Sequence, residues 1–487
     1  LRERTSRFLE QTTSLGCVDR LHNYFALCAS TCRLLFDLAQ PPCVSQSTKE
    51  VAPDGHDELG TLPELIVDNV VELISCLRRL NDDFIESSDA ADVPLQPFLQ
   101  FCVVYMMDLN VLSNPHLRAR LGEVLETLIP QRYEENWNSQ RTSSGFGIVP
   151  AHSLEQLLSG DNGSEQLGQV VTALLTAFVS IELAPGVDAN ASNLETVAAS
   201  ASTGAQQAAP SSEAIETATV SFEEKFHYRR PMYACLRYWH GKPFYDEQFK
   251  NLEEFAIKHI DSPRPPLLLQ FLSLLINDAT FLLDEAIGLL AQIKQKERER
   301  EAAGDRQVFS HCDSPGDDCL CCYEGLFLHT GQLARFHITL GLDTIFALRR
   351  VVSLCPHLVT HPVLVDRIAC MLNYFLLSLV GPKQGDLKVR DKSTYGFRPD
   401  VLVVEICKIY IILGLDTDTE QQQTAAAFRR AVVNDGRSYT TDLLDQALVV
   451  LNRVSNSSDL PKRFELVANA LRVSRLRLPA LRPVEVL

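Results

Sequence analysis

The sequence predicts an all-α protein, an elongated solenoid in which helical hairpins stack one after another. Three observations carry this. Apolar residues recur at steps of three and four through segment after segment, the spacing of a helix with one buried face. Prolines stop or open these segments, as at Pro41-Pro42, Pro63, Pro115, Pro130 and Pro399. β-Branched runs bounded by turn signals, the mark of strands, are scarce.

The first segment, LHNYFALCASTCRLLFDLA, puts Leu21, Phe25, Cys28, Cys32, Leu35 and Leu38 on one face and ends at Pro41-Pro42. A second, LPELIVDNVVELISCLRRL, has Pro63 at a first helical position. PLQPFLQFCVVYMMDLNVLSN is a third, closed by Asn114-Pro115, and PHLRARLGEVLETLIP a fourth, stopped by Pro130. Residues 131–147 are polar, and 184–220 are rich in Ala, Ser and Thr with no aromatics, so 184–220 is expected to be a disordered linker or insertion. Helices resume with SFEEKFHYRRPMYACLRYWHG.

In LLLQFLSLLINDATFLLDEAIGLLAQIKQKERERE, the residues Phe271, Leu275, Leu282, Ala286, Leu289 and Ile293 make one apolar face. Asn277, Asp278, Asp284 and Glu285 are expected off it, and the terminal KQKERERE is expected to be a solvated helix end. A polar, cysteine-rich loop insertion follows at 304–330, after which helices restart near Leu333 and near Pro362. The expected organisation is therefore an N-terminal helical part (1–183), the linker (184–220) and a C-terminal helical part (221–487). No sharp repeating consensus is visible, which suits degenerate hairpins of the armadillo or HEAT kind, with separate helical bundles as the alternative.

Composition excludes several functions. Of 487 residues, 46% are hydrophobic and 22% charged, ordinary for a globular chain. The net charge of -17 repels nucleic-acid phosphates and anionic membrane surfaces, so neither nucleic-acid binding nor membrane insertion is expected. Charges interrupt each apolar run, and none is expected to span a bilayer. Arg472, Arg475, Arg477 and Arg482 form a basic end on this acidic body. The 14 cysteines are scattered, many inside apolar helical runs, where a thiol is a small hydrophobe; a reducing compartment is expected. A chain that opens on Leu1 is expected to be a piece of a longer protein.

The residues richest in ligating chemistry are His311, Cys312, Cys319, Cys321 and Cys322. Their spacing, C-x6-C-x-C-C, lacks the CxxC knuckle of zinc sites, so no bound zinc and no cofactor are expected. His329 and His337 are expected on helix surfaces. There is no phosphate-binding G-x-x-x-x-G-K-[ST], no H-E-x-x-H and no G-x-S-x-G, and the adjacent pairs Glu134-Glu135 and Asp284-Glu285 are ordinary helix or loop charge. No catalytic constellation is predicted.

One loop is more particular than a connector needs to be. After the apolar helix MLNYFLLSLV come Gly381, suited to a left-handed cap, and Pro382, which blocks continuation. Lys383, Lys388, Arg390 and Lys392 then form a positive island, Tyr395 and Phe397 are apolar feet, and Pro399 opens a helix with the stripe Leu402, Ile406, Ile409 and Leu413. Packing explains most of this composition; Lys383, Lys388 and Lys392 are the candidate partner-binding residues. Asn373, within the preceding helix, is expected to be a satisfied core amide.

This same stretch, MLNYFLLSLVGPKQGDLKVRDKSTYGFRPD, resembles the signature segment of the core domain of the ubiquitin chain-elongation factors, the ubiquitin fusion degradation family of U-box ligases. NVLSNPHLRARLGEVL, FEEKFHYRRPM, FLSLLINDATFLLDEAIGLLAQI, LVDRIACMLNY and FRRAVVNDGRSYTTDLLDQAL are similar to further family segments and follow in the family's order, from about Asn110 to Leu451. The resemblance implies an armadillo-like scaffold that helps extend ubiquitin chains on substrates already carrying ubiquitin. It also implies partners: a charged ubiquitin-conjugating enzyme bound by a C-terminal U-box, ubiquitinated substrates, an AAA segregase (the valosin-containing ATPase) and proteasome shuttle factors, in the cytoplasm and nucleus. No U-box sequence lies within the chain, so the chain by itself is expected to be inactive. The alternative is a non-catalytic helical adaptor without ubiquitin transfer.

Overall fold

A computed structural model describes residues 18–39, 64–80, 95–108, 111–129, 167–183, 212–303, 320–415, 421–454 and 459–477. Among them every regular element is a helix and there is no strand. Packing divides the chain into two compact units, Leu1–Gln248 and Phe249–Leu487, a division later in the chain than 184–220.

The first unit begins with α1 (Val18–Ala39), α2 (Leu65–Leu80), α3 (Gln96–Met107) and α4 (Pro115–Thr127). The α1 stripe is as expected: Phe25, Cys28, Cys32 and Leu35 are buried, Phe25 stacks on Phe98 of α3 at 4.9 Å, and the Tyr105 hydroxyl donates to the Leu35 carbonyl at 3.1 Å. Asn114-Pro115 opens α4 instead of closing α3. The Asn114 side-chain oxygen accepts from the backbone N–H groups of His116 (3.1 Å) and Leu117 (3.3 Å), two donors that the first helical turn leaves unpaired, while Pro115 has no N–H to satisfy there. Arg120 ties α4 to α2 through Asp68 and, at 3.1 Å, Glu72.

Next come α5 (Val170–Ser180) and α6 (Ser212–Trp239), joined by charge. Glu182, just past α5, accepts from Lys225 at 2.9 Å and Arg229 at 2.8 Å. The buried Arg229 guanidinium lies over the Phe178 ring at 4.2 Å, and the two cations hold the half-buried carboxyl below its ordinary value against the opposing effect of burial. The conspicuous basic residues of FEEKFHYRRPM are thus structural. Residues 184–211 of the expected linker lie outside the described residues, but Ser212 starts α6, so the end of that stretch is helical. Its SEAIETATV contains Glu and Ala, good helix formers, and continues directly into the amphipathic SFEEKF.

The unit division falls within α7 (Pro243–Lys258). The second unit is built on α8 (Leu267–Ala303) and α9 (Leu320–Leu354), which pack along each other; α10 (Pro356–Val359), α11 (Val365–Val380), α12 (Pro399–Gly414), α13 (Gln421–Asn434), α14 (Thr441–Val454) and α15 (Asp459–Arg477) complete it. Helix α12 lies on α9, α13 on α11, and α15 closes over α12, α13 and α14. Leu402, Ile406, Ile409 and Leu413 are buried as the stripe predicts. Arg472 pairs with Asp445 of α14, and Arg475 lies 5.9 Å from the Tyr439 ring, which anchors the basic end.

Several expectations fail in this unit. Phe271, Leu275, Leu282, Ala286 and Ile293 of α8 are buried and Leu289 half-buried, but Asp278, expected off the apolar face, is fully buried. The cysteine-rich loop ends earlier than expected because α9 begins at Leu320, not near Leu333. By length and hydropathy, Leu267–Glu301 is the one stretch among the described residues capable of crossing a bilayer, contrary to the expectation that charge interrupts every run. More than half of its apolar window is buried inside the protein, as in the core helix of a soluble unit.

A candidate interaction loop on α8 and α9

The loop grows out of α11. Gly381 ends that helix with its N–H on the Leu377 carbonyl at 2.9 Å. Its backbone is extended (φ −79, ψ −170), not the left-handed cap expected. Glycine is required for a different reason: a Cβ there would sit 2.4 Å from the Leu377 oxygen. Pro382 leads into a 3-10 turn, Pro382–Leu387. The chain then alternates, Leu387 and Val389 buried, Lys388 and Arg390 exposed. Asp391 closes a tight turn, accepting the Ser393 and Thr394 hydroxyls at 2.5 Å each; these bonds, the Ser393 one foremost, hold its carboxyl down at about 2.

Both aromatic feet land. Tyr395 and Phe397 are buried, separated by Gly396 in the left-handed region at φ 65, where a side chain would be strained. The Tyr395 ring lies against Gly331 of α9, so close that a Cβ on Gly331 would come within 2.9 Å of it. Pro399 then occupies the first turn of α12.

Polar bonds from α8 fix the loop. The buried Glu297 carboxylate accepts the Arg390 backbone N–H at 3.0 and 3.3 Å and pairs with Lys294 at 3.1 Å. One turn on, Glu301 takes the Arg390 guanidinium at 3.1 and 2.6 Å, which lowers its pKa, and Arg298 reaches Asp386 at 3.1 Å. The charged end of α8 is therefore a docking strip, not merely a solvated terminus. Sequence reasoning missed Glu297, Arg298, Glu301 and Gly331. The one available signal was Glu297 and Glu301 at i and i+4, which share a helix face.

Lys383, Lys388 and Lys392 are exposed, and their side chains form no ion pair among the described residues. Asn373 is the satisfied core amide expected. Fully buried, it donates to the Val432 carbonyl (3.1 Å) and Asp435 (2.9 Å) and accepts from the Tyr410 hydroxyl; Asp435 in turn accepts the N–H groups of Arg437 (3.1 Å) and Ser438 (3.4 Å).

Of the ligating candidates, His311, Cys312 and Cys319 lie outside the described residues, and Cys321 and Cys322 fall in the first turn of α9, where side chains lie outside them too. His329 is exposed, but His337, expected on a surface, is 2% exposed. It stands edge-on to Phe281 (5.9 Å) and Phe336 (5.5 Å), burial lowers its pKa to about 4, and neither ring nitrogen has a hydrogen-bond partner among the described residues. Among the described residues no three His, Cys, Asp or Glu side chains gather as a metal site. Burial pushes the Cys28 thiol up to about 11, and raises Cys32, Cys102, Cys235, Cys355 and Cys407 as well, which makes them poor nucleophiles.

Fold and site together define a protein of packed helical hairpins, in which ion pairs such as Arg120–Asp68 and Arg472–Asp445 join one helix to another. The model of the family described as ubiquitin elongating factor core matches residues 5–184 and 214–472, and the chain belongs to that family. It is 34% identical to ubiquitin conjugation factor E4 A of Pongo abelii over 97% of this chain and 39% of that protein. It is 26% identical to the probable ubiquitin conjugation factor E4 of Arabidopsis thaliana, covering 84% of this chain and 32% of the other. With the E4 ubiquitin-protein ligase UFD2 of Saccharomyces cerevisiae it shares 30% identity over 50% of this chain and 22% of the other. The chain thus spans about two fifths of the length of the first of these relatives.

Proposed function

We propose that this chain is scaffold core of a ubiquitin chain-elongation ligase, which lengthens chains on substrates that already carry ubiquitin. The observation that carries this reading is the family match across both units, together with relatives named as ubiquitin conjugation factors and as an E4 ubiquitin-protein ligase. In the proposed reaction a lysine amine of substrate-borne ubiquitin attacks the thioester carbonyl on a conjugating enzyme. The isopeptide bond forms, the thioester bond breaks, and the enzyme's cysteine leaves as the thiol. The scaffold's contribution is proximity, holding the two reactants in one frame. Six described cysteines, Cys28, Cys32, Cys102, Cys235, Cys355 and Cys407, are buried in the helical core, which supports assigning the covalent step to the conjugating enzyme.

The finer proposal has a U-box of the full-length protein engaging the charged conjugating enzyme, with an AAA segregase and proteasome shuttle factors supplying and receiving substrates in the cytoplasm and nucleus. Reconstitution with activating enzyme, conjugating enzyme, ubiquitin, ATP and a mono-ubiquitinated substrate tests the reading. The full-length protein should extend chains and the 487-residue chain should not. Chain formation by the isolated 487-residue chain overturns the scaffold assignment. A full-length protein that binds the substrate without extending it is an adaptor.

A further inference from the structure

We propose that the loop 382–397 is a docking platform for a short acidic protein segment. The inference rests on the loop's geometry and charge and is independent of the ligase reading.

The first observation is charge. In a chain of net charge -17, Lys383, Lys388, Arg390 and Lys392 project from one short loop. The acids at the loop have other partners: Asp386 pairs with Arg298, Glu301 with Arg390, and Glu297 with Lys294 and the Arg390 N–H, while Asp391 accepts the Ser393 and Thr394 hydroxyls and keeps its negative charge. Among the described residues none of the three lysines pairs with an acid, and the loop's own charges, Lys383, Lys388, Arg390 and Lys392 against Asp386 and Asp391, leave it net positive.

The second observation is rigidity. Leu387, Val389, Tyr395 and Phe397 are buried beneath the loop, and Glu297 holds its backbone through the Arg390 N–H. A surface fixed before the partner arrives does not lose loop entropy on binding. Leu387 and Val389 point inward and Lys388 outward, and Lys383 and Lys392 flank them on the 3-10 turn and on the turn after Asp391, so the lysine heads share the solvent side of one fixed loop, which suits a short segment dense in carboxylates.

The third observation is contrast. The other basic surface, on α15, is partly spent on Asp445 and on the Tyr439 ring. A long polyanion reaching past the loop would meet the acidic body, whereas a short acidic peptide covers the island alone. This favours an acidic protein segment over nucleic acid.

The test uses the 487-residue protein and a fluorescein-labelled decapeptide of alternating Asp and Glu, with an Asn/Gln peptide as control and anisotropy as the readout. The acidic peptide should bind, more weakly as salt rises, and the control should not. K383E/K388E/K392E should weaken binding by about tenfold or more, as reversal of three steering charges does. K462E/R463E on α15 should leave binding unchanged, and both variants should keep the helical circular dichroism and melting temperature of the parent. A milder K383Q/K388Q/K392Q variant, with an intermediate loss, guards against misfolding by charge reversal. Failure of the acidic peptide to bind, equal losses in the loop and α15 variants, or tighter lysine-dependent binding of a ten-nucleotide single strand would each overturn the proposal.

Discussion

Two polar regions of the second unit solve opposite problems. Around Asn373, polar groups lie inside the core, where each must find a partner, and Asn373, Tyr410, Asp435 and the turn after Asp435 satisfy one another. Between α8 and the loop, Arg298, Glu301, Asp386 and Arg390 lie at the surface, where water competes for every bond and only Glu297 is buried. The difference teaches that burial, not the number of polar contacts, sets what a contact is worth. Removing a partner in the core strands the others, whereas removing one at the surface hands the other to water.

The largest effect should come from Asn373→Leu, which leaves the Tyr410 hydroxyl and Asp435 short of a partner in the core and should cost about 2–4 kcal/mol. Chemical denaturation followed by circular dichroism measures it, and a change no larger than that of a surface substitution would erase the contrast between the two regions. His337 sharpens the comparison as a buried polar group whose ring nitrogens find no partner among the described residues. Its folded pKa of about 4 lies below the ordinary 6.5, so between these values the unfolded chain binds more protons. Stability should be complete above pH 6.5 and fall as pH drops toward 4, by on the order of 3 kcal/mol. His337→Leu should flatten that part of the pH profile, as melting at pH 7.5, 5.5 and 4.5 would reveal.

Glu297→Ala comes next. It frees the Arg390 N–H and unpairs Lys294 and should cost about 1–2 kcal/mol. Hydrogen exchange at Arg390 should rise with it, and an unchanged exchange rate would mean that the aromatic feet alone hold the loop. The smallest change is Arg390→Ala, which removes an exposed, solvent-screened pair with Glu301 and should leave the denaturation midpoint within the scatter of ordinary surface substitutions. A double-mutant cycle with Glu301→Ala reads the coupling directly.

The sequence by itself determined the class. The spacing of Phe25, Cys28, Cys32 and Leu35, and of Leu402, Ile406, Ile409 and Leu413, was sufficient because a buried stripe repeats at the period of the helix that carries it. The loop's burial pattern was legible too, since Tyr395 and Phe397 are large apolar side chains in a polar stretch and have few stable places except underneath it. The resemblance carried in the segments from Asn110 to Leu451 is matched by the family's span. Only the tertiary structure decided the fate of individual polar residues. Asp278 and His337 look like surface groups in sequence and are buried; Glu297 and Glu301 look like a solvated terminus and hold a loop some ninety residues away in sequence. Gly381 reads as a left-handed cap, and a carbonyl contact is what excludes a side chain there. The physical reason is common to all of them: periodicity records which face of its own helix a residue occupies, but a polar group's burial, partner and pKa depend on what a distant segment brings against that face.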